Sequence, residues 1–167
     1  GARGVPHLEA MTARQFSLSP HRSVIAIGGP DRVEFLQGLI SNDTTKVAPG
    51  RAVWAALLTP QGRFLNDMFV ADGGDGTLLL ETERERAAAL AKKLSLYRLR
   101  SKVTVEDRGK SLEVAVAYGP DATTTLPLDG AIAAFVDPRL GELGIRVIAP
   151  AGTAATLLQS HGFSAAP

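Results

Sequence analysis

Asn66 and Asp67 stand side by side in the middle of an otherwise apolar run, Phe64-Leu65-Asn66-Asp67-Met68-Phe69-Val70-Ala71. A carboxylate accepts hydrogen bonds and an amide both accepts and donates them, so this pair is equipped to contact a polar ligand. A two-residue strand period puts Leu65, Asp67, Phe69 and Ala71 on one face and Phe64, Asn66, Met68 and Val70 on the other. On that pattern Asp67 loses water between Leu65 and Phe69 on folding and needs a partner, which makes it the first candidate for ligand contact. The same spacing suits an inward-pointing charge that guards a sheet edge against aggregation, and the pattern alone does not choose between the two.

The second set of chemically able residues is basic. Between Arg84 and Lys110 nine Lys and Arg residues stand against three acidic ones, a net +6 in a chain whose total is +1. Such a segment calls for an anionic partner, a small polyanion or a nucleic acid, unless it is simply a solvated helix face. Tyr97 is its only aromatic, so the stacking platforms that hold single strands are lacking and nucleic acid is disfavoured. There is no cysteine, which removes disulfides, thiolate nucleophiles and cysteine-ligated zinc or iron–sulfur sites from these residues. His7, His21 and His161 lie far apart, so no metal ligand set is expected. Asp72-Gly73-Gly74-Asp75-Gly76 lacks the Lys-Ser/Thr of a phosphate-binding loop and joins two strands, so it reads as a turn.

The elements that must position these residues follow from periodicity. Ala52 to Thr59 and Phe64 to Ala71 read as a hairpin turned by Pro60-Gln61-Gly62-Arg63, where Pro presets φ and Gly accepts a positive one. Ser23 to Gly28 is a short strand. Asp31 and Glu34 then form a capping-box pair that opens a helix carrying Val33, Leu36 and Ile40 and ending near Ser41-Asn42-Asp43. Leu78 to Glu81 is the next strand. Thr82 and Glu85 cap a helix to about Leu96, with Ala87, Leu90 or Ala91, and Leu94 inward, and Lys102 to Glu106 alternates as a strand. The order β-α-β-β-β-α-β with tight turns predicts an α+β fold on largely antiparallel sheets with packed helices.

Three units are expected: an N-terminal segment over 1–22, an α+β domain with the hairpin over 23–109, and a partial second α+β domain over 110–167. Gly1 to Ala10 precedes Met11, has no apolar core of a signal peptide, and reads as an addition to a natural start at Met11. The last unit has strands at Leu112 to Tyr118, Ala131 to Val136 and Ile145 to Ala149, and a helix from Ala154 to Ser160 capped at Gly152-Thr153. Phe163 to Pro167 closes nothing, so the chain reads as a piece of a larger fold or one needing a partner. No apolar run approaches the ~20 residues that span a bilayer. No membrane association is expected, and a cytoplasmic location fits.

Four stretches together resemble the N-terminal half of the YgfZ/GcvT folate-binding family, relatives of the glycine-cleavage aminomethyltransferase. They are Phe35-Leu36-Gln37-Gly38 with Ser41-Asn42-Asp43; Leu58-Thr59-Pro60-Gln61-Gly62-Arg63; Tyr97 to Val105; and Asp137-Pro138-Arg139-Leu140 with Leu143-Gly144-Ile145-Arg146. The resemblance implies the N-terminal portion of a three-domain cloverleaf fold around a channel for tetrahydrofolate. It implies that Asp67, with Asn66 beside it, meets the folate, and that Arg98 and Arg100, ahead of Lys102, meet its anionic tail, a role suited to the bidentate fork of arginine. The match is nearest the YgfZ branch, which assists iron–sulfur cluster assembly, so assembly or client proteins are the implied macromolecular partners. That branch carries a Lys-Gly-Cys-x-x-Gly-Gln-Glu motif in its second half, beyond these residues. A one-carbon transferase of the aminomethyltransferase kind is the alternative, and whether the chain is itself an enzyme stays open. A nucleic-acid-binding module through residues 84–110 is the remaining reading.

Overall fold

The computed structural model describes residues 13–58 and 64–167. In chain order the strands are β1 (Gln15–Leu18), β2 (Arg22–Gly28), β3 (Val53–Leu58), β4 (Phe64–Asp72) and β5 (Leu78–Glu83). They continue with β6 (Thr104–Asp107), β7 (Leu112–Tyr118), β8 (Ala133–Val136), β9 (Ile145–Pro150) and β10 (Ser164–Ala165). The helices are α1 (Arg32–Gln37), α2 (Arg84–Tyr97) and α3 (Ala154–Ser160). One sheet has the order β3-β4-β5-β2-β6 and is antiparallel throughout; the other has the order β10-β1-β7-β9-β8, with only β1 and β10 parallel. This is the α+β, largely antiparallel architecture that the strand periodicity predicts.

The sheets lie face to face between outer helices, and alternation along each strand decides which layer a side chain enters. In β4, Met68 and Val70 join Ile25, Ile27 and Leu80 in a core closed by Phe35 and Leu36 of α1 and by Ala87, Leu90 and Leu94 of α2. Phe69 and Ala71 point the other way, into the seam between sheets, against Phe135, Val114 and Ile148. The far face of the second sheet packs under α3 through Ala154 and Leu158. A fully buried leucine such as Leu94 contributes about 1.5–3 kcal/mol by leaving water, so α2 is held by its inward stripe.

Several local expectations are corrected. The first helix stops at Gln37, and Ile40 instead bridges to Leu57 of β3. Asp31 forms no cap; its carboxylate accepts the Lys102 amide at 2.8 Å, tying the helix start to the approach to β6. Gly29 makes that approach possible, because with φ at 96° a Cβ there would lie 2.3 Å from the Lys102 carbonyl oxygen. Thr82 does not cap α2 either: it remains in β5, and its hydroxyl donates to the Asp67 carbonyl at 2.8 Å. Lys102 precedes β6 rather than lying in a strand. At α3 the cap comes from another element, since the Glu113 carboxylate of β7 accepts the Gly152 and Ala154 amides at 2.9 and 3.1 Å.

The chain's outer segments enter the second sheet. β1 pairs with β7, Ser164 and Ala165 pair with β1, and Phe163 is buried, so this last stretch does close a sheet. The Pro60 to Arg63 turn, Thr59 and the Gly1 to Ala10 stretch lie outside the described residues.

Candidate functional site

Asp67 pairs with Ala56 across the β3–β4 ladder, and the Thr82 bond fixes its backbone from the β5 side. Its side chain is exposed, not enclosed among carbon as the strand pattern predicts. The reason is the reach of the second sheet. Phe69, two residues on, is covered by Phe135 at a ring separation of 6.0 Å, but Asp67 lies beyond that cover. What it borders is an open cavity of about 350 Å³, lined by Ser41, Trp54, Ala55, Ala56 and Asp67. The side chains of the wall are mostly carbon, with one carboxylate, one hydroxyl and the indole N–H of Trp54. That is the usual composition of a small-molecule site, apolar walls with few polar groups to set orientation.

The Ser41-Asn42-Asp43 stretch builds this wall. The Ser41 hydroxyl oxygen accepts the Ala56 amide at 2.9 Å, and the Asn42 amide donates to the Trp54 carbonyl at 3.0 Å. Gln37 accepts both the amide and the hydroxyl of Thr44 at 2.7 Å, anchoring the following loop to α1. The side chains that interrupt the helix therefore fasten the loop to β3 and fix Trp54, which remains 45% exposed at the cavity rim.

The four residues singled out from sequence do not form one site. Strand alternation sends Asn66 to the opposite face from Asp67, where it lines a hollow of about 480 Å³ with Arg86, Ala89, Lys92, Lys93 and Leu96 of α2. Arg98 and Arg100 are exposed at the C-terminal end of α2, on the helix side of the sheet, with Arg98 donating to the Val103 carbonyl at 3.3 Å. The basic segment is also divided. Arg84 holds the Pro20 and Gly109 carbonyls, Arg86 pairs with Glu83, and Arg108 pairs with Glu106, while Lys92, Arg100, Lys102 and Lys110 are exposed.

A cluster that sequence reasoning did not find occupies the seam beside Asp67. Glu81 is fully buried and accepts two hydrogen bonds from Arg146, at 2.7 and 2.9 Å, and a short one from Arg22. Arg146 and Arg139 lie over the Phe69 ring at 4.4 and 4.9 Å from its centroid, with Arg22 at 5.8 Å. Arg139 is in turn gripped bidentately by Asp137 at 3.0 and 2.7 Å. Burial pushes the Asp137 carboxyl up, but the hydrogen bonds from the Arg139 side chain and backbone, with the Arg139 and Arg146 charges, outweigh it and hold it below the usual range. Arg139 is raised, first by its hydrogen bond to Asp137 and further by the charges of Asp137, Glu81 and Asp67, so the field of Asp67 reaches it. The signal was available: Glu81 interrupts Leu78-Leu79-Leu80, and Arg146 interrupts an apolar strand. What sequence could not supply was that the two interruptions face each other. Among the described residues no group of acidic or histidine side chains could hold a metal ion.

Two largely antiparallel sheets packed face to face, with one carboxylate at the rim of an apolar hollow, define an α+β domain. Residues 18–128 match the model of the GCVT N-terminal domain, and the chain belongs to that family. It is 32% identical over 139 residues to the iron–sulfur cluster assembly factor IBA57 homolog, mitochondrial, of Mycosarcoma maydis, covering 76% of this chain and 34% of that protein. The mitochondrial IBA57 of Mus musculus is 32% identical over 145 residues, 76% of this chain and 40% of its own length. The chain thus spans well under half the length of these curated relatives. Among solved structures, the glycine cleavage system aminomethyltransferase T of Bartonella henselae superposes with a TM-score of 0.70 at 19% identity, over 95% of this chain and 49% of that one, a likeness of fold.

Proposed function

We propose that this chain is the tetrahydrofolate-facing part of an iron–sulfur cluster assembly protein of the YgfZ type, with Asp67 as the polar anchor for the folate ring. The observation that carries the reading is the lone carboxylate at the rim of the carbon-walled cavity between β3 and β4. The donor set fits the group: a pterin offers an amino group and a ring N–H on one edge, and a carboxylate accepts two such bonds at once. Trp54 and the alanines supply the flat apolar wall. Asp67 would bind and orient the ring, with Thr82 and the β3 ladder holding its backbone in place. Tetrahydrofolate, when bound, supplies one-carbon carrying capacity. These residues contribute binding and orientation, and the Ser41 hydroxyl that shares the cavity with Asp67 accepts the Ala56 amide.

The role in cluster assembly is supported by the names of the relatives, which align over a limited part of their length. Assembly or client proteins are the corresponding partners. Those relatives are named as mitochondrial, whereas the composition suggested the cytoplasm, and fractionation of the native source decides between the two compartments. The aminomethyltransferase alternative shares the fold, and fold alone carries no chemistry.

The test is calorimetric titration of tetrahydrofolate into the full-length protein. Binding should be detected and should weaken by roughly 1–3 kcal/mol in Asp67→Asn, the range for a hydrogen bond to a charged group. Unchanged affinity in the variant removes Asp67 from the site.

A further inference from the structure

The end of α2 and the turn after it carry an exposure that packing does not explain. Leu99 is 90% exposed, and Leu96 and Tyr97 are 64% and 41% exposed. Large apolar side chains gathered in one turn of chain make a patch of the kind that marks an interaction site. Cations surround it. Lys92 and Lys93 belong to no ion pair among the described residues, and the positions one turn from them on α2 are Ala88, Ala89, Leu90, Ser95, Leu96 and Tyr97. The acids of α2 stand at its other end, Glu83 paired with Arg86 at 3.3 Å and Glu85 about two turns before Lys92. On β6, which packs beside α2, Glu106 pairs with Arg108 and Asp107 accepts the Gly109 amide. At the turn itself Asp31 accepts the Lys102 amide, one carboxylate beside Arg98, Arg100 and Lys102.

Beside the patch the surface is concave. Leu96 also lines the hollow between α2 and β4, with Ala89 as an apolar floor, Lys92 and Lys93 as cations and Asn66 on the strand side. The Asn66 side-chain nitrogen is buried without a hydrogen-bond partner among the described residues, so a turn of the amide offers a donor to an incoming acceptor and breaks no bond at that nitrogen. A bilayer meets protruding surface and cannot fill a hollow. A small ligand in so open a place would stay mostly in water, whereas small-molecule sites enclose their ligands. A second copy of this face would set like charges against each other across a twofold axis. A polypeptide fits: one side chain enters the hollow while its neighbours lie on Leu99.

We infer that the outer face of α2 and the turn after it dock an acidic amphipathic helix of a partner protein, its apolar side chains on Leu96, Tyr97 and Leu99 and its carboxylates on Lys92, Lys93 and Arg100. The charges select the partner and speed the encounter, and the apolar centre holds it. This face lies on the helix side of the sheet, away from the Asp67 cavity, so the docking surface stands or falls apart from the folate reading.

The experiment titrates the full-length protein into a fluorescein-labelled synthetic helix of about 20 residues, leucines along one face and glutamates on the rest, and reads anisotropy at low salt. Binding should be detected. Lys92→Glu/Lys93→Glu and Leu96→Ser/Leu99→Ser should each weaken it about tenfold, while Lys110→Glu, an exposed cation beside the other end of α2, should change it by less than about twofold. Circular dichroism checks that each variant keeps the parent fold. A peptide that does not bind overturns the inference, because the face is then covered or idle in the full-length protein. Equal weakening by Lys110→Glu overturns it too, since net charge alone then attracts the peptide. Binding of phosphatidylglycerol vesicles in place of the peptide assigns the patch to a lipid surface, and self-association in sedimentation that Leu96→Ser/Leu99→Ser abolishes assigns it to a second copy; either result overturns the partner helix.

Discussion

Arg146 of β9 and Glu81 of β5 join the two sheets through two hydrogen bonds of 2.7 and 2.9 Å, although neither residue is near the other in sequence. The pair sits where the seam would otherwise be hydrocarbon, with the Phe69 ring against the guanidinium. A buried carboxylate is tolerated only while its lone pairs are engaged, and Arg22 engages one more.

Removing the acidic member should therefore cost more than removing one base. Glu81→Leu leaves two arginines facing each other without a counter-charge and should destabilise by about 3–5 kcal/mol, whereas Arg146→Leu leaves Glu81 paired with Arg22 and should cost less. Urea unfolding of the two variants measures the difference, and the reverse order would contradict the assignment of Glu81 as the hub.

Asp137 predicts a pH effect. Its folded carboxyl holds a proton less tightly than the unfolded one, whose usual value is 3.8. Between those two values the unfolded chain binds more protons, so stability rises with pH there; the contribution is whole above about pH 4 and is lost as pH falls through the folded value. Thermal unfolding of Asp137→Asn should show a shallower decline on acidification than the parent protein. Parallel declines would mean that the Arg139 contact does not act through the charge.

Thr82 reports on how the anchor is held. Thr82→Val keeps the shape of a side chain that is 1% exposed and deletes only the hydroxyl that donates to the Asp67 carbonyl. A loss of about 1 kcal/mol is expected, the usual net value of one such bond. If Asp67 orients a ligand, tetrahydrofolate affinity should drop further than stability alone explains at saturating folded protein; unchanged binding would limit Thr82 to a structural part.

Phe69 offers a separation of packing from charge contact. Phe69→Leu keeps most of the bulk against Phe135 but removes the ring under three arginines, and about 1–2 kcal/mol should be lost. A neutral outcome in calorimetric unfolding would show that the guanidinium groups gain nothing from the ring.

Much of the fold was legible in sequence because it is local. A short apolar run gave β2, period-two runs gave β4 and β7, and the helical spacing of Ala87, Leu90 or Ala91, and Leu94 gave the inward stripe of α2, in which Leu90 is the buried alternative. The caps were not legible, because Asp31, Thr82 and Glu113 spend their side chains on distant backbone, at Lys102, Asp67 and Gly152. The same limit governs the site. Alternation placed Asp67 on the Phe69 face, but whether that face is covered depends on how far β8 extends, a property of another part of the chain. The basic residues near α2 are dense in sequence and so were legible there, while Lys46 and Arg51 are sparse and become neighbours only after the loop folds against β3.

Trp54 has a practical consequence. It is the only tryptophan in the sequence, and its indole borders the Asp67 cavity and a second hollow beside Arg139. The native protein thus carries its own optical reporter at the point where two compartments meet. Its emission should respond to filling on either side, so occupancy of this region can be followed without attaching any label.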